Sequence, residues 1–138
     1  MNTLYAETSA VLAWLFGEPG SSEAMKRIDE ADTVATSALT LLEIERALIR
    51  AEKQNLLRAG ECQKLRGMLA RACRSWILME VSEEVRAGAG RVFPVEPVRT
   101  IDALHLSTAL LLMRAFPDLR MLTFDQRIAA NSRALGMD

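Results

Sequence analysis

Apolar residues recur along this chain with two different periods. Short apolar or β-branched runs at 3–7, 33–37, 76–81 and 119–124 read as strands, and the stretches between them repeat apolar residues at helical spacing. "TSAVLAWLF" predicts a helix over 8–16 whose first turn is expected to be capped by the hydroxyl of Thr8 or Ser9. "GEPGSSE" breaks the chain, and Ala24, Met25 and Ile28 space a second helix from Ser21 to about Ala31. Leu41, Leu42, Ile44, Ala47, Leu48 and Ala51 predict a third helix over 38–52, while Arg46, Arg50 and Lys53 stack on another of its faces. A fourth helix follows from 59 to about 74, and a short one spans 83–92. "FPVEPVRT" is a loop by its two prolines.

Residues 100–115, "TIDALHLSTALLLMRA", are apolar on nearly every side of a helix, which places that helix centrally. Asp102 and His105 stand out in it. After the last apolar run comes "QRIAANSRAL", an amphipathic helix with Gly136 as its expected C-cap. Strands alternating with helices argue for a parallel α/β sheet covered on both faces. Ligands of such sheets bind beyond the carboxyl ends of the strands, where Glu7 and Asp125 both fall.

Composition narrows the class without naming a function. With 138 residues, half of them apolar, the chain is expected to form one domain over 1–138 with an ordinary core. A net charge of −1 gives no global basic field, so any surface for an anionic partner must be local. One is at hand between Arg46 and Arg74, where Arg46, Arg50, Lys53, Arg58, Lys64, Arg66, Arg71 and Arg74 face only Glu52 and Glu61. Cys62 and Cys73 lie roughly 16 Å apart on one helix at about 1.5 Å per residue, too far to bridge. No apolar stretch approaches the roughly 20 residues a bilayer demands, and no basic leader precedes the first apolar run. A cytoplasmic protein is the expectation.

The acids are the unusual part. Glu7, Asp102 and Asp125 occupy positions where a charge is costly unless something satisfies it, and Glu43 lies beside the apolar Ile44 in the third helix. If the four converge on one sheet edge, their repulsion raises pKa values or is relieved by a cation, and oxygen ligands suit Mg²⁺ or Mn²⁺. Taken singly, each has a plainer reading: helix-terminus acids for Glu7, Asp102 and Asp125, and a solvated partner of Arg46 or Arg50 for Glu43.

Taken in order, four blocks, "LYAETSAVLAWLFGEPGS", "VATSALTLLEIERAL", "RTIDALHLSTAL" and "MLTFDQRIAANSRALG", resemble the PIN-domain family, and within it the VapC-type toxins. The resemblance covers nearly the whole chain, with one acid in each block. It implies an α/β fold with a central parallel sheet of four or five strands, the shorter count following from the end at "LGMD". It also implies a metal-dependent ribonuclease, with Glu7, Glu43, Asp102 and Asp125 as the acids of a Mg²⁺ or Mn²⁺ site: Glu7, Asp102 and Asp125 as ligands, Glu43 acting through water. Pairing as a homodimer and inhibition by a cognate antitoxin are further implications. Glu7 departs from the family pattern, which has aspartate there.

Around the acids, Thr8, Ser9 and Thr123 could orient a carboxylate or a metal-bound water, although capping and strand propensity also account for them. His105 shares a helix face with Asp102 and reads as a satisfied core or supporting histidine rather than a ligand. Arg46, Arg50 and Lys53 are the candidates for RNA backbone contact, against a docking face for an acidic partner. Trp14 and Trp76 read as core or interface residues. A catalytically weak PIN-like binding module is the alternative, motivated by Glu7. A phosphate-transfer domain with an aspartyl nucleophile is disfavoured because Glu7 is not aspartate and no lysine follows Lys64.

Overall fold

A computed structural model describes residues 1–138 as β1 (Thr3–Ala6), α1 (Thr8–Phe16), α2 (Ser21–Glu30), β2 (Thr33–Ser37), α3 (Ala38–Lys53), α4 (Ala59–Cys73), β3 (Ile77–Met79), α5 (Glu83–Ala89), α6 (Thr100–Met113), β4 (Arg120–Leu122) and α7 (Gln126–Ala134). All strands run parallel in the order β3-β2-β1-β4, which is the four-stranded PIN-like α/β sheet the sequence implies. No helix is long and apolar enough to cross a membrane.

Strand alternation sorts the core onto two faces. Tyr5, paired in register with Ala35 and Met121, packs with Leu106, Ala109 and Leu112 of α6 and Ile128 of α7. Leu4, Ala6, Val34 and Leu122 point the other way, toward Val11 and Leu15 of α1, Ala24 of α2, Ile44 and Leu48 of α3, and Leu69 of α4. The central strands β1 and β2 are buried on both faces, so neither alternates apolar with exposed positions, whereas edge strand β3 leaves Leu78 exposed. Trp14 and Trp76 meet with ring centroids 6.5 Å apart at the border of this second cluster, and both are half-buried. Cys62 and Cys73 are free thiols.

Three local expectations need correction. Glu7 itself caps α1, its carboxylate accepting the Ser9 N–H at 3.1 Å, because the short hydroxyls of Thr8 and Ser9 are already inside the helix. Gly136 sits one residue beyond the C-cap Leu135, with φ +85°. There the Met137 N–H reaches the Ser132 carbonyl at 2.8 Å and the Gly136 N–H reaches that of Arg133 at 3.2 Å. This left-handed closure favours glycine after the cap rather than at it. Third, the apolar runs overstate strand length: β3 covers only 77–79 and β4 only 120–122.

From β1 the chain steps outward through β2 to β3, then returns to the opposite side of β1 for β4. The order therefore reverses between β1 and β4, and a crevice for ligands opens at the carboxyl ends of such strands. Glu7 follows β1, and Thr123 and Asp125 follow β4. Central α6 is drawn in close to α5. A Cβ on Gly88 would collide with the Ser107 Oγ, which donates to the Val85 carbonyl at 2.7 Å.

Candidate functional site

Glu7 is only 5% exposed, yet no cationic group touches it. Its Oε1 accepts the Ser9 hydroxyl at 2.5 Å and the Thr123 hydroxyl at 2.6 Å, and its Oε2 accepts the Ser9 N–H. These hydroxyls are themselves held: Ser9 Oγ accepts the Phe124 N–H at 2.9 Å, and Thr123 Oγ1 accepts the Asp125 N–H at 3.0 Å. The first and last of the four acids are thus tied into one hydrogen-bonded cluster across β1 and β4. Charged acceptors of this kind make the stronger hydrogen bonds.

Glu43 does not take the solvated role considered for it and pairs with neither Arg46 nor Arg50. Its Oε1 accepts the Thr8 hydroxyl at 2.6 Å and the Nε2–H of His105 at 2.7 Å. Burial pushes the Glu43 carboxyl up, but the hydrogen bonds from His105 and Thr8 outweigh it and hold the group below the ordinary carboxylate range. The other ring nitrogen, Nδ1, meets the Tyr5 hydroxyl at 2.8 Å. Burial, with the charges of Glu7 and Glu43 adding to it, keeps that phenol protonated well above its usual range. A neutral imidazole that donates its Nε2–H to the Glu43 carboxylate leaves Nδ1 to accept the Tyr5 hydroxyl. Below Thr8 a further chain of hydroxyls, Thr40 and Thr36, ends on the Ala6 carbonyl at 2.6 Å, fixing the backbone just before Glu7.

Asp102 lies in the first turn of α6 and is 7% exposed. Its Oδ2 takes the Arg99 Nε at 3.2 Å, and a terminal nitrogen of the same guanidinium stands 3.7 Å from Asp125 Oδ2. The other Asp125 oxygen caps α7, accepting the N–H groups of Arg127 and Ile128 at 2.9 and 3.0 Å. Arg46, Arg50 and Lys53 are exposed along α3, while Arg66 of α4 pairs with Glu45 at 2.9 Å.

The four predicted acids fall into three neighbouring groups: Ser9 and Thr123 hold Glu7, Thr8 and His105 hold Glu43, and Arg99 spans Asp102 and Asp125. They do not point three carboxylates at a single spot: no cluster of three or more acids or histidines is poised as a complete ligand set. Glu43 is drawn toward His105, and Asp102 and Asp125 toward Arg99. The donor chemistry nevertheless fits a hard divalent cation, since the carboxylates of Glu7, Asp102 and Asp125 with the hydroxyls beside them offer oxygen ligands, and one pair of aspartates already shares a positive charge. Sequence reasoning missed Arg99 and Tyr5. Tyr5 carried no signal inside an apolar run, whereas Arg99, three residues before Asp102 at a helix start, was legible as an i, i+3 pair.

A parallel α/β sheet with acids at the carboxyl ends on both sides of its switch point belongs to the class of open sheets whose ligands bind at that rim. The chain belongs to the PIN-domain family, whose model matches residues 4–134. It is 33% identical to ribonuclease VapC46 of Mycobacterium tuberculosis, over 99% of this chain and 95% of that protein. Among solved structures, VapC20 of M. tuberculosis, a sarcin-ricin-loop-cleaving toxin, superposes with a TM-score of 0.64 at 16% identity, over 92% of this chain and 93% of that one. A toxin–antitoxin complex from Klebsiella pneumoniae gives 0.62 at 17% identity, over 88% and 86%. At these identities the likeness to the solved structures is one of fold.

Proposed function

We propose that this protein is a metal-dependent endoribonuclease toxin, working in the cytoplasm and held inactive by a cognate antitoxin. The observation that carries the reading is the rim itself: Glu7 and Asp125 follow the carboxyl ends of β1 and β4, with Glu43 contributed by α3 and Asp102 by the first turn of α6, in a chain related to VapC ribonucleases over nearly its whole length. In this reading Glu7, Asp102 and Asp125 hold Mg²⁺ or Mn²⁺ directly or through water. When bound, the cation activates a water and neutralises charge on the scissile phosphate.

The chain's own residues do the rest. Ser9 and Thr123 keep the Glu7 carboxylate aimed while shielding it from the core, and Thr8 and His105 hold Glu43 ionised as an acceptor for a water proton. Arg46, Arg50 and Lys53 lead away from Glu43 along α3 as a track for the RNA backbone. A homodimer is part of the same proposal. Incubation of the purified protein with RNA should give cleavage with Mn²⁺ or Mg²⁺ and none with EDTA; intact RNA under both metals would sink the reading.

The weak-module alternative rests on Glu7. Because Ser9 and Thr123 are spaced to hold the longer side chain, Glu7→Asp pulls the carboxylate off both hydroxyls. We expect cleavage to fall by about tenfold, the usual cost of losing a supporting contact at a metal site. A rise in cleavage and in Mn²⁺ affinity would instead identify Glu7 as the handicap of a degraded site.

A further inference from the structure

Arg99 is the one cation inside the acidic rim. It is the N-cap residue of α6, with extended backbone at φ −73° and ψ 156°, and its side chain folds back over the first turn to meet both Asp102 and Asp125. The two aspartates come from elements that share no strand or helix, so the guanidinium spans the crevice between α6 and the end of β4. Burial is unequal: the Arg99 side chain is 66% exposed, against 9% for Asp102 and 26% for Asp125. The cation therefore sits at the mouth, and the carboxylates behind it.

Neither contact is strong. Arg99 offers single nitrogens at 3.2 and 3.7 Å rather than a two-pronged grip on one carboxylate, and its exposure leaves the pair screened by water. A divalent ion carries twice the charge and can bind both oxygens directly. We propose that Arg99 is a tethered counter-ion of the Asp102–Asp125 pair, which a divalent cation displaces on binding and which thereby sets the affinity of the site for metal. Held by its backbone at the start of α6, the displaced guanidinium remains beside the rim, where its fork is free to take a phosphate oxygen of the substrate. Arg99 acts on the metal through Asp102 and Asp125 in this scheme, and the scheme rests on the metal-site reading given above.

The test is a calorimetric titration of the full-length protein with Mn²⁺ alone, without RNA. Removing a positive charge several ångströms from the metal should tighten Mn²⁺ binding by Arg99→Gln about fivefold, within what Coulomb attraction and screening allow. Arg99→Lys, which keeps the charge, should stay close to the unmodified protein. Unchanged or weaker binding by Arg99→Gln overturns the proposal. Should that variant fail to fold, the ¹⁵Nε resonance of Arg99 in the unmodified protein decides. It should move to a solvent-like position as diamagnetic Mg²⁺ is added, and a resonance that stays in place during saturation overturns displacement. Failure of the metal-site reading itself looks different, because the unmodified protein would then bind no Mn²⁺ at all.

Discussion

Replacing Asp102 with asparagine is expected to lower RNA cleavage by at least about 10²-fold, on the scale reported for misplacing or losing a group that positions a reacting centre. The substitution changes almost nothing else. Asparagine matches the shape of aspartate, tolerates the first turn of a helix, and leaves one oxygen to accept a hydrogen bond from Arg99. What disappears is the charge, at a position where only 7% of the residue meets solvent and where water cannot replace it. Gel-resolved cleavage in Mn²⁺, alongside a thermal melt showing an intact fold, checks this. Cleavage at the original rate would place the chemistry elsewhere.

His105→Ala should do the opposite, costing stability first. The imidazole is fully buried and is the shared partner of three groups: its Nε2 meets Glu43 and Thr8, and its Nδ1 meets the Tyr5 hydroxyl. Its loss leaves the Tyr5 hydroxyl unpaired in the core, strips Glu43 of its stronger donor and opens a cavity under α6. Each unsatisfied buried group costs about 1–3 kcal/mol, and the cavity adds to that, so a total of roughly 2–5 kcal/mol is expected. The measurement is the urea midpoint at constant slope. The double substitution Tyr5→Phe with His105→Leu, which removes the orphaned hydroxyl, should recover part of the loss. A midpoint unmoved by His105→Ala would mean that the ring carries no weight in the core.

Much of this arrangement was legible in the residues. Element order and type follow from the change of apolar period, and the start of α3 and the central place of α6 follow from their patterns. Acids directly after strands point to the rim because parallel sheets open there. Less legible was what each acid touches, because side-chain partners arise from tertiary approach. Glu43 looked equally able to meet Arg46 or Arg50 on its own helix, but α6 brings in His105, 62 positions away in sequence, and the interior outcompetes the solvated alternative. Glu7 stands just before a helix expected to be capped by a hydroxyl and instead caps that helix itself. Strand ends were misplaced for a simpler reason: apolar character continues into the residues that leave the ladder, so hydropathy does not mark the last hydrogen bond.

Several hydrogen bonds join opposite ends of the chain. Thr123 donates to Glu7 across 116 positions, and β1, made first, finds its β4 partner only when residues 120–122 exist. During synthesis the amino-terminal half can collapse around β1, β2 and α3 while one flank of β1 still waits for its neighbour. Contacts of such sequence separation close late. The acidic rim is therefore expected to be the last part of the molecule to be completed, and on the proposed function a chain stopped before β4, lacking Asp125 and the Thr123 clasp, is expected not to cut.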